Sequence, residues 1–138
     1  MNPHPVGGAI WDIETHLGSE LSLAEIANFV KVSRFNLLRA FGAATGLSIM
    51  SYVRPRRLTE AARQLASGAA DILGVATGAG SASHETFTRA FREQFGQTPD
   101  AVRAQGHTSN IKLVEAFGMS ENVVSLEQPR FEDGRVIW

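Results

Sequence analysis

Three groups of basic residues stand out in this sequence. Lys31, Arg34 and Arg39 fall within nine residues with no acid between them, Arg54, Arg56 and Arg57 fall within four, and Arg89 and Arg92 form a third group beside Glu85 and Glu93. Clustered cations hold phosphate oxygens or the guanine edge, and they also serve as solvated helix faces. Other constellations carry less. Gly78-Ala79-Gly80 is not a phosphate loop, since no Gly-Lys-Ser/Thr follows it and no strand precedes it. Asp12, Glu14 and His16 look like metal ligands on paper, but a spacing of two on a helix turns them to different faces. Ser83, His84 and Glu85 are chain neighbours and cannot form a catalytic triad. There are no cysteines, which removes disulfides, thiolate metal sites and Cys nucleophiles together. No catalytic residue, metal or cofactor is expected, and the chain does not read as an enzyme.

The surrounding sequence must position those cations. With 138 residues, 43% of them hydrophobic and 20% charged, the chain has the size of one ordinary domain. Its net charge of −1 is unlike that of a uniformly basic nucleic-acid binder. The charge is unevenly placed, however. Residues 1–106 hold ten Lys+Arg against nine Asp+Glu, and residues 107–138 hold three against five. No uncharged apolar run approaches the ~18 residues of a membrane span. Residues 1–8 lack the basic start and apolar core of a signal peptide. The expectation is a cytoplasmic protein with no membrane partner.

Periodicity and caps predict helices up to residue 106 and nothing that reads as a strand. Residues 1–8, with two Pro and two Gly, read as a flexible lead-in. A helix over 9–17 carries Ile10, Ile13 and Leu17 on one face. Ser22 with Glu25 forms a capping box for a short helix over 23–30. Ser33 caps the next, which carries Leu37, Leu38, Phe41 and Ala44 and stops at Gly46. Ser48 opens a long helix over 49–66 in which Pro55 predicts a kink or a restart near Arg54. Asp71 caps a helix over 72–77, Ser83 caps one through Phe95 that ends at Gly96, and Thr98-Pro99 starts a last one to about Gln105.

The helices repeat. Leu37, Arg39, Ala40, Phe41, Gly46 and Ser48 are matched at an offset of 50 by Phe87, Arg89, Ala90, Phe91, Gly96 and Thr98. Leu23, Ile26 and Ala27 are matched at an offset of 49 by Ile72, Val75 and Ala76, so the second turn has one extra residue. Each unit is a short apolar helix, a tight turn and a capped helix, the pattern of a helix-turn-helix. A major groove about 12 Å wide admits one such helix, and its N-terminal N–H groups suit a phosphate. The helix over 49–66 spans roughly 27 Å at ~1.5 Å per residue. That is the order of the ~34–36 Å between successive major-groove turns.

The residues also resemble a known family. Leu21-Ser22-Leu23-Ala24-Glu25-Ile26-Ala27, Ser33 to Phe41, Gly46-Leu47-Ser48 with Tyr52, and Arg57-Leu58 followed by Ala61 and Leu65 carry the first half of the likeness. Gly80, Phe87-Thr88-Arg89-Ala90-Phe91, Phe95-Gly96-Gln97-Thr98-Pro99 and Arg103 carry the more specific second half. Over about residues 9–105 this resembles the DNA-binding domain of AraC/XylS transcription regulators, in the layout of the MarA, SoxS and Rob branch. The resemblance implies an all-α fold of two helix-turn-helix subdomains joined by a long helix, seven helices in all. By position, the domains are a lead-in (1–8), a first subdomain (9–47), a linker helix (48–67), a second subdomain (68–106) and a tail (107–138).

The implied partner is double-stranded DNA. Carried over by position, the first base-reading face is Phe35, Asn36, Leu38 and Arg39, and the second is His84, Glu85, Thr86 and Arg89. Arg39 and Arg89 suit guanine O6/N7 or a phosphate, Glu85 a cytosine N4, and Thr86 a polar or methyl contact. Phe35 and Leu38 suit thymine methyls or sugars, with packing inward the alternative for Leu38. Lys31, Ser33, Arg34, Ser83 and Thr88 are the implied DNA-backbone contacts. Arg57 matches a position that is usually structural in the family, bridging the subdomains.

Two features depart from the family. Where it usually has Gly-Phe, this chain has Gly80-Ser81, so either another group fills that space or the second subdomain is looser. Glu85 also places an acid on a DNA-facing surface. These favour an alternative reading: an interaction or ligand-sensing module whose second unit no longer reads DNA. The tail has two readings as well. Val123, Val124 and Leu126, the turn signal Asp133-Gly134, and the β-formers Val136, Ile137 and Trp138 resemble the linker and opening strands of a GyrI-like effector-binding domain. Alternatively, the tail packs back on the helices. Further partners implied by the family are RNA polymerase and, through a further C-terminal domain, a small-molecule effector.

Overall fold

The computed structural model describes residues 5–68, 71–117, 130–132 and 135–137. Within them the order is α1 (Pro5–Thr15), α2 (Leu23–Phe29), α3 (Arg34–Thr45), α4 (Ile49–Ala66), α5 (Ile72–Gly78), α6 (His84–Phe95), α7 (Pro99–Gln105), β1 (Arg130–Glu132) and β2 (Arg135–Ile137). The strands pair antiparallel with Phe131 opposite Val136, flanking the Asp133-Gly134 turn signal. That dipeptide, Val123, Val124, Leu126 and Trp138 lie outside the described residues.

The caps fall where the sequence puts them, because capping is a local hydrogen bond. Ser22 Oγ accepts from Glu25 N–H, Ser33 Oγ from Asn36 N–H, Asp71 from Leu73 N–H, Ser83 Oγ from Thr86 N–H, and Thr98 Oγ1 from Ala101 N–H. Gly46, Gly96 and Gly106 end their helices in the left-handed conformation, which glycine adopts without a Cβ penalty.

One expectation is corrected and another narrowed. The first helix begins at Pro5, inside the segment expected to be a lead-in. Proline suits a first helical turn, where its missing N–H has no partner anyway. Val6 and Ala9 are both fully buried, so packing overrides the two glycines between them. The long helix also runs through Pro55 without a restart. The hydrogen bond lost there is the one to the Ser51 carbonyl, on an exposed residue that water can reach. The Pro55 carbonyl itself accepts from Gln94 Nε2 at 3.2 Å.

Two compact units divide α4 between them, one containing the chain to Val53 and from Glu115 onward, the other Arg54–Val114. The first packs α1, α2, α3 and the start of α4 around Ile13, Ile26, Leu37, Phe41 and Tyr52. Tyr52 is a hub: its hydroxyl donates to Glu14 at 2.6 Å and accepts from Phe117 N–H at 3.2 Å, and its ring stacks on Phe117 at 5.1 Å. The second unit packs the rest of α4 with α5, α6 and α7. Phe87, Phe91 and Phe95 form its aromatic column, with ring centroids 5.6 and 4.8 Å apart. Part of the tail packs back on this unit. Ile111 and Leu113 lie against its core, Val114 N–H donates to Thr59 Oγ1 at 3.0 Å, and Arg56 Nη1 donates to the Val114 carbonyl at 2.8 Å.

The two units repeat each other down to single hydrogen bonds. Between α2 and α3, Lys31 N–H reaches the Asn28 carbonyl and Val32 N–H the Ala27 carbonyl, at 3.2 and 3.1 Å. Between α5 and α6, Gly80 N–H reaches Thr77 and Ser81 N–H reaches Ala76, at 2.9 and 3.0 Å. Both turns need a residue at positive φ, Lys31 at 65° and Gly80 at 83°. In the second unit a Cβ on Gly80 would also meet Arg57 Nη1 at 2.7 Å, so the end of that side chain would have to shift.

Candidate nucleic-acid interface

A surface that reads DNA needs a rigid helix with one face in a core and the other carrying donors, acceptors and apolar groups to the groove. α3 and α6 both meet this. In α3, Leu37 and Phe41 are fully buried, while Phe35 is 66% and Leu38 45% exposed. Asn36, Arg39 and Arg34 are exposed as well. Leu38 therefore faces solvent rather than the core. In α6, Phe87 and Phe91 are fully buried, and His84, Glu85, Thr86 and Arg89 are exposed. All eight residues assigned to base reading lie on the open faces of the two helices.

Arg39 does not hang free. Its guanidinium carbon lies 5.4 Å from the Phe35 ring centroid. A side chain in a helix points back toward the N-terminus, so a residue meets the one four positions earlier. The contact is a cation–π pair. Sequence reading assigned both residues to the interface but missed this support, which the i, i+4 spacing signals.

The backbone-contact residues divide. Lys31, Ser33 and Arg34 are exposed at the start of α3, and Ser33 keeps its hydroxyl proton because its oxygen accepts at the cap. Ser83 differs: its hydroxyl donates to Thr86 Oγ1 at 2.9 Å while accepting from Thr86 N–H. Its proton is used within the cap, which leaves its side chain without a donor for phosphate in this conformation. Thr88 is a correction. It is half-buried, and its Oγ1 is enclosed with no hydrogen-bond partner, because the last position before Arg89 turns toward the core side of α6. It does not present a hydroxyl to phosphate.

The middle basic cluster proves mostly structural. Arg54 is exposed. Arg56 is 4% exposed and bonds Glu60 at 3.0 Å as well as Val114, the pairing a buried cation requires. Glu60 also pairs with Arg63. Arg57 lies against Gly80, and partial burial lowers its pKa below the ordinary arginine value. Its side chain occupies space beside the turn where the family places a Phe and this chain has Ser81, itself half-buried.

The acids of α1 are used separately. Glu14 holds Tyr52, while Asp12 and His16, four residues apart, pair at 3.1 Å. Among the described residues no group of three or more side chains could hold a metal ion, and no helix is long and apolar enough to cross a membrane. An aromatic pair, Trp11 stacked on Phe29 at 5.7 Å, stands 57% and 48% exposed in the first unit, on neither reading helix.

Comparison with known proteins agrees with this geometry. A family model described as a helix-turn-helix domain matches residues 26–105. The transcriptional regulator Rob of Salmonella typhimurium is 41% identical over 119 residues, covering 86% of this chain and 41% of Rob. The chain thus spans about two fifths of that relative. A crystal structure of an AraC-type transcriptional regulator from Chromobacterium violaceum superposes with a TM-score of 0.69 at 28% identity, covering 76% of this chain and 94% of that one. The DNA-binding domain of AdpA, a global transcriptional factor crystallised with a target DNA, superposes with a TM-score of 0.65 at 25% identity, covering 74% and 92%. With two helix-turn-helix units in the family's order and its motifs in register, this chain belongs to the AraC/XylS family and carries its helix-turn-helix DNA-binding domain.

Proposed function

We propose that this chain binds double-stranded DNA sequence-specifically as part of a bacterial transcription regulator, with α3 and α6 each entering a major groove. One observation carries the reading: two capped twelve-residue helices each bury one face and expose an arginine, Arg39 or Arg89, at the same position of the other. Phe35, Asn36, Leu38 and Arg39 read one block, and His84, Glu85, Thr86 and Arg89 the other. Lys31, Ser33 and Arg34 hold phosphates. The cellular place of such a protein is the cytoplasm, on the chromosome. Activation requires a contact with RNA polymerase, and the exposed Trp11–Phe29 pair is one surface for it among the described residues, since adjacent apolar groups left in water can mark a protein contact.

The test is selection from a random DNA pool, followed by a salt series on the winning sequence. Two preferred blocks about one helical turn apart, with a steep loss of affinity as salt rises, are expected. A single block would instead favour the module whose second unit has lost base reading, a reading that Glu85 motivates.

Lys31 gives a separate check. Its positive φ costs about 1 kcal/mol in a non-glycine residue, and the matching turn uses Gly80 for that position. Lys31→Gly relieves that strain but adds freedom to the unfolded chain, so urea denaturation is expected to show a change within about 1 kcal/mol. The substitution should also weaken DNA binding across all sequences and reduce the salt slope by about one. Unchanged binding would remove Lys31 from the phosphate contacts.

A further inference from the structure

The two reading faces differ in kind. Positions 35, 38 and 39 share one side of α3, at i, i+3 and i+4. Phe35 and Leu38 bring large apolar surfaces to it, 66% and 45% exposed, and neither belongs to the first unit's core. The matching positions of α6 hold Glu85, Thr88 and Arg89, with no exposed apolar group among them.

An apolar side chain in the major groove has one apolar substituent to meet on the base edges, the methyl on carbon 5 of thymine. 5-Methylcytosine offers the same methyl. Arg39 fixes where that methyl should lie. A guanidinium bonded to guanine O6 and N7 lies in the plane of that base pair. The neighbouring pyrimidine on the 5′ side then presents carbon 5 to the guanidinium, beside the aromatic ring that supports it. The Phe35 ring already lies 5.4 Å from the guanidinium carbon, so the arrangement needs little reordering on binding.

We propose that α3 is a methyl reader: it selects a pyrimidine bearing a 5-methyl group, thymine or 5-methylcytosine, immediately 5′ of the guanine contacted by Arg39. This rests on the DNA-binding reading above. It implies that cytosine-5 methylation at a cytosine–guanine step in the first block strengthens binding.

The experiment uses the whole chain and the selected duplex. The guanine read by Arg39 is located as the one whose replacement Arg39→Ala no longer senses. Four duplexes then carry thymine, deoxyuridine, cytosine or 5-methylcytosine on its 5′ side, and affinities are measured by fluorescence anisotropy at one salt concentration. Thymine should bind about four-fold more tightly than deoxyuridine, the effect of burying one methyl-sized group. 5-Methylcytosine should exceed cytosine by a similar factor. Phe35→Ala combined with Leu38→Ala should abolish both differences. Equal affinities within each pair for the unaltered protein would overturn the proposal while leaving DNA binding intact. Absence of binding to every duplex would overturn the DNA-binding reading, and this inference with it.

Discussion

Replacing Arg39 and Arg89 together by alanine should lower specific DNA affinity by about 2–6 kcal/mol, since each bidentate guanine contact contributes roughly 1–3 kcal/mol and separate sites add. Each single variant should lose preference at one guanine only, in its own block. Both side chains are exposed, so folding and thermal stability should stay near those of the parent. Arg39 adds a finer expectation. Because Phe35 holds its guanidinium, Phe35→Ala should weaken the same guanine preference without touching the hydrogen-bonding group itself. The measurement is anisotropy against the selected duplex and its single-guanine variants. If Arg89→Ala binds like the parent at every sequence, α6 does not read bases, and the chain recognises DNA through its first unit alone.

The other large effect lies in the second unit's core. Phe91 is fully buried between Phe87 and Phe95. Truncating a buried Phe to Ala costs about 3–5 kcal/mol, a large part of the roughly 5–15 kcal/mol that holds a domain together. Leu73 of the same unit stands 57% exposed and adds little to that core. Phe91→Ala should therefore shift the urea midpoint strongly. Near the melting range it should also erase the second block from the selected sequence while the first persists. A loss below about 1 kcal/mol would mean that the column collapses to refill the space, and that the unit's stability rests elsewhere.

The caps and stops were legible in the sequence because each is decided within four residues: Ser33 by its reach to Asn36, Gly46 by its freedom at positive φ. The repeat was legible because the fold reuses one solution twice, down to the turn at Lys31 and Gly80. The start of α1 was not, since Pro5, Gly7 and Gly8 favour a loose segment locally and only tertiary burial of Val6 and Ala9 holds them in a helix. At Pro55 a kink and a restart could not be told apart in sequence, because the cost of its lost hydrogen bond depends on whether water reaches Ser51. At the interface, position assigned the reading residues. Thr88 failed because facing is a matter of helix rotation and packing: one residue before the exposed Arg89, its hydroxyl is already enclosed. Of the three arginines near Pro55, the resemblance already set Arg57 apart as structural, while the burial of Arg56 and its contact with Val114 were not legible in sequence.

The bond between Val114 and Thr59 redraws the edge of the second unit. Thr59 is fully buried, and its hydroxyl accepts the Val114 amide from a segment beyond the last helix. Breaking that bond leaves the buried Thr59 hydroxyl without the amide, so the segment is tied to α4. The stretch from Ile111 to Val114 thus shares the cooperative unit of α4 to α7 rather than trailing from it. A cut placed just after α7, where a count of helices would put it, would leave Thr59 and the nearly enclosed Arg56 each short of a partner. Cooperative unfolding, not the end of the last helix, sets the limit of this domain.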